Sequence, residues 1–600
     1  MSEYRAPLAD MEFLLKDLSG LDQVCALPGF EEASPDVASA ILEEASKFAT
    51  EVLDPINWPG DQVGAKRNDD GTVTTAPGFK DAYLRFCENG WLGLNKNPEF
   101  GGQGLPHLLA TAVEEMWHSA NLAFDLCPLL TSGAIEAIEL NGSEALKQKF
   151  LPNMVSGKWT GTMNLTEPNA GSDLAAVRSR AVKQADGTYL VSGQKIFITY
   201  GEHDYTENII HLVLARTPDA PPGVKGISLF VVPKFLVNDD GSLGARNDAH
   251  CASIEHKLGI HGSPTAVMVF GEKTGAVGYV VGEENRGLEY MFVMMNLARF
   301  AVGMEGIGVS ERAYQRAVAY ARDRVQGKAV GLAKGAPVGP IIQHPDIRRM
   351  LMTMRAYTEA IRAVAYVTAA AIDNAHSHPD AAARAKHQGF VDFMIPIVKG
   401  HSTEVAQEVT SLGVQVHGGM GYIEETGAAQ YFRDARITTI YEGTTGIQAN
   451  DLIGRKTARD GGAVAKSIIA DIASVAAELS AQPDETLKGI GARLNEGVAA
   501  LTRAVDWLVP AYRDSVRAAH AGAVSYLKLW GLMTGGWQLG RAALVASKQL
   551  AAGTGSPAFL KAKIDTANYY ALALLPQVDG IVRNILEAGE ATDLLADDQF

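Results

Sequence analysis

The hydrophobic period of this chain changes along its length, and those changes restrict its fold more than any single motif does. Up to about residue 158 the apolar residues recur at helical spacing. Ser34-Pro35 supplies an N-cap and a first-turn proline, and Val37, Ile41, Ala45 and Phe48 follow on one face. From about 159 to 285 the apolar residues gather into short β-branched runs, at 209–215, 226–232, 265–270 and 276–281, punctuated by Gly, Pro and Asp. Asp186-Gly187 predicts a tight hairpin turn between 181–184 and 188–191. Helical spacing returns from Leu288, with Val405, Val409, Leu412 and Val416 on one face. Charges and paired glycines break it at 456–462, and an Ala- and Leu-rich region, interrupted at 552–557, runs on to residue 600. Residues 334–340 read as a surface loop. The pattern predicts an α+β protein in four parts: a helical domain over 1–158, a β domain over 159–285, a helical bundle over 286–455 and an additional helical domain over 463–600.

At 600 residues the chain exceeds one compact core, and roughly three or four domains are expected. Hydrophobic residues make up 47% and charged residues 20%, the profile of a soluble globular protein. The apolar runs fall short of a bilayer span, so no membrane span is expected. Met1-Ser2-Glu3-Tyr4-Arg5 opens no apolar signal core, and Asp597-Asp598-Gln599-Phe600 is no retention or peroxisomal address; a cytoplasmic location is the expectation. Cys25, Cys87, Cys127 and Cys251 share no paired spacing, which speaks against disulfides and a cysteine-based zinc site. The net charge of −16 disfavours a nucleic-acid partner.

Three stretches carry chemistry. Residues 163–173, Met-Asn-Leu-Thr-Glu-Pro-Asn-Ala-Gly-Ser-Asp, combine small residues with short polar side chains, which suits a polar heterocycle or phosphate approached by main chain. Pattern alone favours a capped loop there, and a core aromatic for Phe197 in Gly193-Gln194-Lys195-Ile196-Phe197-Ile198-Thr199. Pattern alone also makes Glu442, in Tyr441-Glu442-Gly443-Thr444-Thr445, a helix-cap or first-turn acid. His256, His261, His344 and His417 lack metal-ligand spacing, and no metal site is expected. Gly418-Gly419-Met420-Gly421 follows a helical pattern and is no dinucleotide fingerprint.

Taken together and in order, these motifs resemble the signatures of the acyl-CoA dehydrogenase family. Gly90-Trp91-Leu92-Gly93-Leu94, Phe100-Gly101-Gly102-Gln103-Gly104, Glu255-His256-Lys257-Leu258-Gly259-Ile260 and Gln415-Val416-His417-Gly418-Gly419 extend the resemblance over residues of about 30 to 455. It implies an N-terminal helical domain, a β-barrel-like middle domain, a C-terminal four-helix bundle and, in this chain, an appended helical domain. The implied cofactor is FAD. Met163, Leu165, Thr166, Gly171, Ser172, Ile198 and Thr199 would line the flavin, with Phe197 as its flanking aromatic. Arg324, Gln326, Gln415, Gly418 and Gly419 would hold the pyrophosphate and adenine end across a homodimer interface, where a planar, permanently charged guanidinium suits a diphosphate. Thr444 and Thr445 would make further flavin contacts, and Ser172, Asn296, Arg299, Tyr441 and Gly443 would meet the acyl-CoA. Relatives often carry Asp where Asn296 stands, and a polar side chain where Gly446 stands.

The resemblance makes Glu442 the catalytic base. Dehydrogenating an acyl thioester requires a base for the α-proton and an acceptor for the β-hydride. Burial strengthens a carboxylate as a base, and the enolate oxygen needs hydrogen-bond donors. The expected product is the trans-2-enoyl-CoA, with electrons passing to an electron-transfer flavoprotein. An acyl-CoA oxidase using O₂, a DNA-binding flavoprotein of the same fold and a catalytically silent assembly factor are the alternatives. The length and appended bundle resemble the long bacterial enzymes of the family, some acting on 3-methylthiopropanoyl-CoA in dimethylsulfoniopropionate breakdown and others on fatty acyl-CoA.

Overall fold

The computed structural model describes residues 3–331, 333, 335 and 337–600. Of the expected loop at 334–340, Lys334 and Ala336 lie outside the described residues. The chain packs as two compact units. One comprises Met1–Ser46, Pro106–Ser119 and Val302–Phe600; the other comprises Lys47–Leu105 and Ala120–Ala301. Two long helices, His107–Asn141 and Gly287–Asp323, contribute residues to both.

The second unit is built on an eight-stranded mixed sheet. Its strands are β1 (Trp159–Asn164), β2 (Arg180–Lys183), β3 (Tyr189–Thr199), β4 (Asn208–Ala215), β5 (Ser228–Pro233), β6 (Ala249–Ile254), β7 (Thr265–Phe270) and β8 (Ala276–Val280). The order is β6-β7-β3-β8-β5-β4-β1, with β2 also paired to β3. The pair β1–β4 is parallel, which places Met163 opposite Leu212. The predicted hairpin is present: β2 and β3 pair from Lys183↔Tyr189 to Arg180↔Ser192, and Asp186 Oδ1 accepts from Thr188 N at 3.0 Å to close the turn. Strand β6 escapes the sequence reading because Ala-His-Cys-Ala-Ser-Ile has no apolar alternation.

Along β4 and β5, alternate residues enter two different cores. Ile210, Leu212, Leu214, Leu229 and Val231 pack with helix residues such as Leu130, Ala134, Met291 and Met294. Val213, Ala215, Phe230 and Val232 pack with Tyr189, Val191, Met268 and Phe270. Burial on both faces, at about 1.5–3 kcal/mol per large side chain, fixes the strand register, because a one-residue slip would exchange the faces.

The first unit is helical. It includes Pro345–Ser377, Ala381–His417 and Ala428–Thr438, followed by Ala463–Ser480, Glu485–Asp514, Ala523–Ala552, Pro557–Tyr569 and Gln577–Glu587. The predicted break at 456–462 is where Gly461 and Gly462 take φ of 68° and 81°, and Asp460 Oδ2 accepts from Val464 N at 3.0 Å as the next helix starts. Two helices approach closely at Gly531, where a Cβ would lie 2.0 Å from His401.

A buried charge cluster ties the segments of this unit together. The Arg362 guanidinium donates to Asp10 at 2.8 Å, to Glu115 at 2.7 Å and to Glu311 at 2.6 Å. Lys563, from the C-terminal region, donates to Asp10 at 2.5 Å and to Glu359 at 2.7 Å. All four cysteines are free thiols. By length and composition the helix Gly287–Asp323 could cross a bilayer, a point the sequence reading missed; 76% of its apolar window is buried inside the protein, as in a core helix.

Candidate active site

In the β unit, the residues assigned to a flavin converge on the ends of β1 and β3. Met163 is buried near the end of β1, and Leu165 and Thr166 are half-buried in the loop that follows. That loop is fastened to β3 by backbone and by charge. Ile196 N donates to Thr166 O at 2.9 Å, and Lys195 Nζ donates to Leu165 O at 3.0 Å and to Glu167 Oε1 at 2.8 Å. Glu167 also accepts from Ser179 N at 3.0 Å and Arg178 N at 2.7 Å. Glu167 and Ala170 exchange backbone hydrogen bonds of 2.9 and 3.0 Å around Pro168-Asn169, leaving Gly171 and Ser172 exposed beyond the turn.

Burial draws the Lys195 ammonium down to about 8, with Glu167 pulling the other way, so the lysine stays charged at neutral pH. Burial pushes the Glu167 carboxyl up, but Lys195, with the Ser179 and Arg178 donors, outweighs it and holds that carboxyl below its ordinary range. The pair is therefore an ion pair that organises the loop.

Phe197 departs from its neighbours. It has φ of 60° and is 59% exposed, although it stands in the long strand β3. The register against β7 shifts there: Ile198 faces Ala266 while Lys195 faces Met268, so Ile196 and Phe197 together oppose Val267. This bulge turns an aromatic outward in a backbone region that costs a bulky residue of order 1–3 kcal/mol. Strain and an exposed aromatic argue against the core-aromatic reading. Ile198 beside it is buried and Thr199 half-buried. On the helix Gly287–Asp323, Arg299 is buried and Asn296 exposed. An outward aromatic wall, a pinned polar loop and open space where a Cβ on Gly171 would point fit a large planar heterocycle.

In the helical unit, Glu442 lies outside the helix that follows it. Thr444 is that helix's N-cap, its Oγ1 accepting from Ile447 N at 3.2 Å, and the helix runs Thr445–Asp451. The cap reading of Glu442 therefore falls, since the cap is two residues further on. Glu442 instead takes φ of 53°, one of five described non-glycine residues with positive φ. Its neighbours are anchored on both sides. Tyr441 donates its hydroxyl to the buried Glu305 carboxylate. Burial first, and the Glu305 charge second, push the Tyr441 hydroxyl well above its ordinary range, so it remains a donor. Gly443 O accepts from Lys399 Nζ at 2.7 Å, and Lys399 also donates to Thr438 O at 2.8 Å. Gln448 Nε2 donates to Glu442 O at 3.2 Å and Gly443 O at 3.3 Å. Lys399 and Gln448 are fully buried.

Thr445 is buried and spends its hydroxyl proton on Glu404 Oε1 at 2.6 Å, while the Thr444 hydroxyl caps. Both threonines thus serve the local structure through their side chains. Arg324, Gln326, Gln415, Gly418 and Gly419 are all exposed. The segments that carry Arg324 and Gln415 are neighbours, because the Tyr320 and His417 rings lie 4.4 Å apart and Arg324 N donates to Tyr320 O at 2.8 Å. A Cβ on Gly418 or Gly419 would meet nothing within 4 Å, which leaves the backbone there open to a ligand. The sequence reading missed Glu167, Lys195, Lys399, Gln448 and Glu305 as organisers. Lys195 meets a partner 28 residues away and Lys399 one 44 away, and no local pattern signals such pairs.

Four family models match the chain in order. They are the acyl-CoA dehydrogenase N-terminal domain at residues 36–158, its middle domain at 162–272, its C-terminal domain at 285–456, and an acetyl-CoA dehydrogenase C-terminal-like domain at 468–594. The chain is 51% identical to the 3-methylmercaptopropionyl-CoA dehydrogenase of Ruegeria pomeroyi, over 98% of this chain and 99% of that one. It is 35% identical to a broad-specificity linear acyl-CoA dehydrogenase of Mycobacterium tuberculosis, over 98% of each chain. In fold it is similar to an acyl-CoA dehydrogenase of Bacillus anthracis solved with FAD, at a TM-score of 0.73 and 21% identity, covering 98% of this chain and 93% of that one. The ordered domains and the near full-length identity lead to one conclusion: this chain is an enzyme of the acyl-CoA dehydrogenase family, with an additional C-terminal domain.

Proposed function

We propose that this enzyme binds FAD and oxidises an acyl-CoA to its trans-2-enoyl-CoA with Glu442 as base, and that 3-methylmercaptopropionyl-CoA is its substrate. The observation that carries the assignment of the base is the backbone of Glu442: left-handed, outside the helix cap and anchored on both sides. Strain of this kind persists where the surrounding structure enforces it, and such places are enriched in functional residues. The near full-length identity to a 3-methylmercaptopropionyl-CoA dehydrogenase supports the substrate.

The Glu442 carboxylate takes the α-proton of the thioester, and the electron pair left on Cα becomes the new Cα=Cβ bond as Cβ loses hydride. FAD supplies, when bound, the acceptor for that hydride. The residues to hold its ring system are Met163, Leu165, Thr166, Gly171, Ser172, Phe197, Ile198 and Thr199. Those to hold its pyrophosphate and adenine are Arg324, Gln326, Gln415, Gly418 and Gly419, across the interface of a homodimer. Thr444 and Thr445 contribute to the cofactor site through main chain, their side chains being committed to the helix. Ser172, Asn296, Arg299, Tyr441 and Gly443 orient the acyl-CoA. The acceptor of the electrons is an electron-transfer flavoprotein, and the enzyme works in the cytoplasm. The four sequence segments divide these tasks, with the base in 286–455 and the domain at 463–600 packing on that bundle.

Anaerobic titration of the yellow enzyme with a panel of acyl-CoA thioesters, following flavin bleaching, tests the substrate. The expected result is the highest kcat/KM for 3-methylmercaptopropionyl-CoA. A fatty acyl-CoA about tenfold better, a difference of 1.4 kcal/mol, overturns that choice in favour of the second reading, a linear fatty acyl-CoA dehydrogenase, which the 35% identity to a broad-specificity enzyme supports. Rapid turnover in air with stoichiometric peroxide and no added acceptor overturns the dehydrogenase reading in favour of an oxidase.

A further inference from the structure

We infer that Lys399 is a positioning residue for the catalytic base: with Gln448 and the Tyr441–Glu305 pair, it forces Glu442 into its left-handed backbone and so aims the carboxylate. The inference rests on the proposed role of Glu442. Its physical basis is a comparison of costs. A glutamate at φ of 53° gives up of order 1–3 kcal/mol relative to ordinary backbone, and something must hold it there.

The segment is held at three places. At Thr438, the end of the preceding helix, Lys399 Nζ donates to the carbonyl at 2.8 Å; the same ammonium reaches across the bend to Gly443 O at 2.7 Å. The lysine thereby staples the two ends of the bend Thr438–Gly443 that contains Glu442, and a buried charge-assisted hydrogen bond is about twice as strong as a neutral one. Gln448 Nε2, from the helix that follows, adds 3.2 and 3.3 Å bonds to the carbonyls of Glu442 and Gly443. On the other side, the Tyr441 hydroxyl donates to Glu305, a buried carboxylate on the long helix Gly287–Asp323. With Tyr441 and Gly443 both fixed, rotation at Glu442 is the remaining backbone freedom. Gly443 itself, at φ of 86°, is in a backbone conformation that strains any side chain, and a Cβ there would press on Gln448 Nε2 at 2.7 Å. Lys399 acts on Glu442 through the two peptide carbonyls it holds, one on either side of the bend.

The test replaces Lys399 by Met, which keeps the length of the side chain and removes the donor, and uses the FAD-loaded full-length enzyme. Stopped-flow reduction by 3-methylmercaptopropionyl-CoA, unlabelled and deuterated at Cα, is followed beside a Glu442→Gln control. For Lys399→Met the reduction rate should fall about 10–100-fold, the cost of misplacing a reacting group by about 1 Å, with FAD content and acyl-CoA affinity near those of the parent. The isotope effect should rise, because proton removal becomes the slower event; general destabilisation would leave it unchanged. Without acyl-CoA, amide exchange across residues 439–448 should quicken. Should Lys399→Met fail to fold or load FAD, Tyr441→Phe decides. It removes one hydrogen bond, so the rate should fall about 3–10-fold, with the same rise in isotope effect. A parental rate and isotope effect in the deciding variant overturn the inference while Glu442→Gln is inactive. A Glu442→Gln enzyme that reduces at the parental rate instead overturns the assignment of the base.

Discussion

Phe197 and Glu442 belong to different compact units, yet their surroundings are built alike. Each holds a positive φ, 60° and 53°, that side chains avoid, and each lies close in sequence or space to a buried lysine that donates to peptide carbonyls. The two lysines join different parts of the chain. Lys195 has a buried carboxylate, Glu167, at 2.8 Å, and that carboxylate gathers three further donors from Arg178 and Ser179. Lys399 donates to the carbonyls of Thr438 and Gly443, on either side of the base. The difference teaches that the β unit uses its lysine to make a fixed cradle, and the helical unit uses its lysine to set the direction of one side chain.

That contrast predicts different failures. Lys195→Met should strand the buried Glu167 charge, costing about 3–5 kcal/mol of stability and most of the bound FAD. Thermal melting and the 450 nm absorbance of the purified variant check it; a stable variant that retains FAD would remove the cradle from the comparison. Lys563→Met sharpens the point, because Lys563 is also ion-paired and buried but pairs with Asp10 and Glu359, away from the residues assigned to cofactor and substrate. It should lose about 3 kcal/mol of stability at folding-permissive temperature with FAD content intact, which melting and absorbance again measure. Thr444→Ala removes the cap next to the base and should cost about 1 kcal/mol, with a smaller loss of reduction rate than Lys399→Met.

Much of this organisation was legible in the chain itself. The change of period placed the helical and β regions, and Ser34, Asp186-Gly187 and the 456–462 break marked real turns and caps. Cap positions are local, and local chemistry can be read. The organisers of the site were hidden because their partners are distant in sequence: Glu305 meets Tyr441 across 136 residues, and Arg362 meets Asp10 across 352. Lys195 and Lys399 look like ordinary surface lysines until burial is known. The φ values of Phe197 and Glu442 were equally invisible, since nothing in either residue favours left-handed backbone.

A further expected effect concerns pH. Burial pushes the Asp373 carboxyl up to about 7, against the backbone N–H groups of Leu108 and His107 that it accepts at 2.9 and 2.8 Å. Its value in the unfolded chain is about 3.8, so the folded state holds a proton that the unfolded state releases between about 4 and 7. This group therefore favours folding most below pH 4, and that contribution is lost as pH rises to about 7. Asp373→Asn should flatten this part of the stability profile, measured by urea midpoints from pH 4.5 to 8; an unchanged slope would show that the site titrates elsewhere.

The central claim is that Glu442 is the base, and anaerobic stopped-flow reduction of Glu442→Gln by 3-methylmercaptopropionyl-CoA tests it most directly. The account predicts a yellow protein that binds the acyl-CoA yet bleaches about 10²–10⁴-fold more slowly than the parent, the usual contribution of general-base catalysis. Bleaching at the parental rate would contradict it.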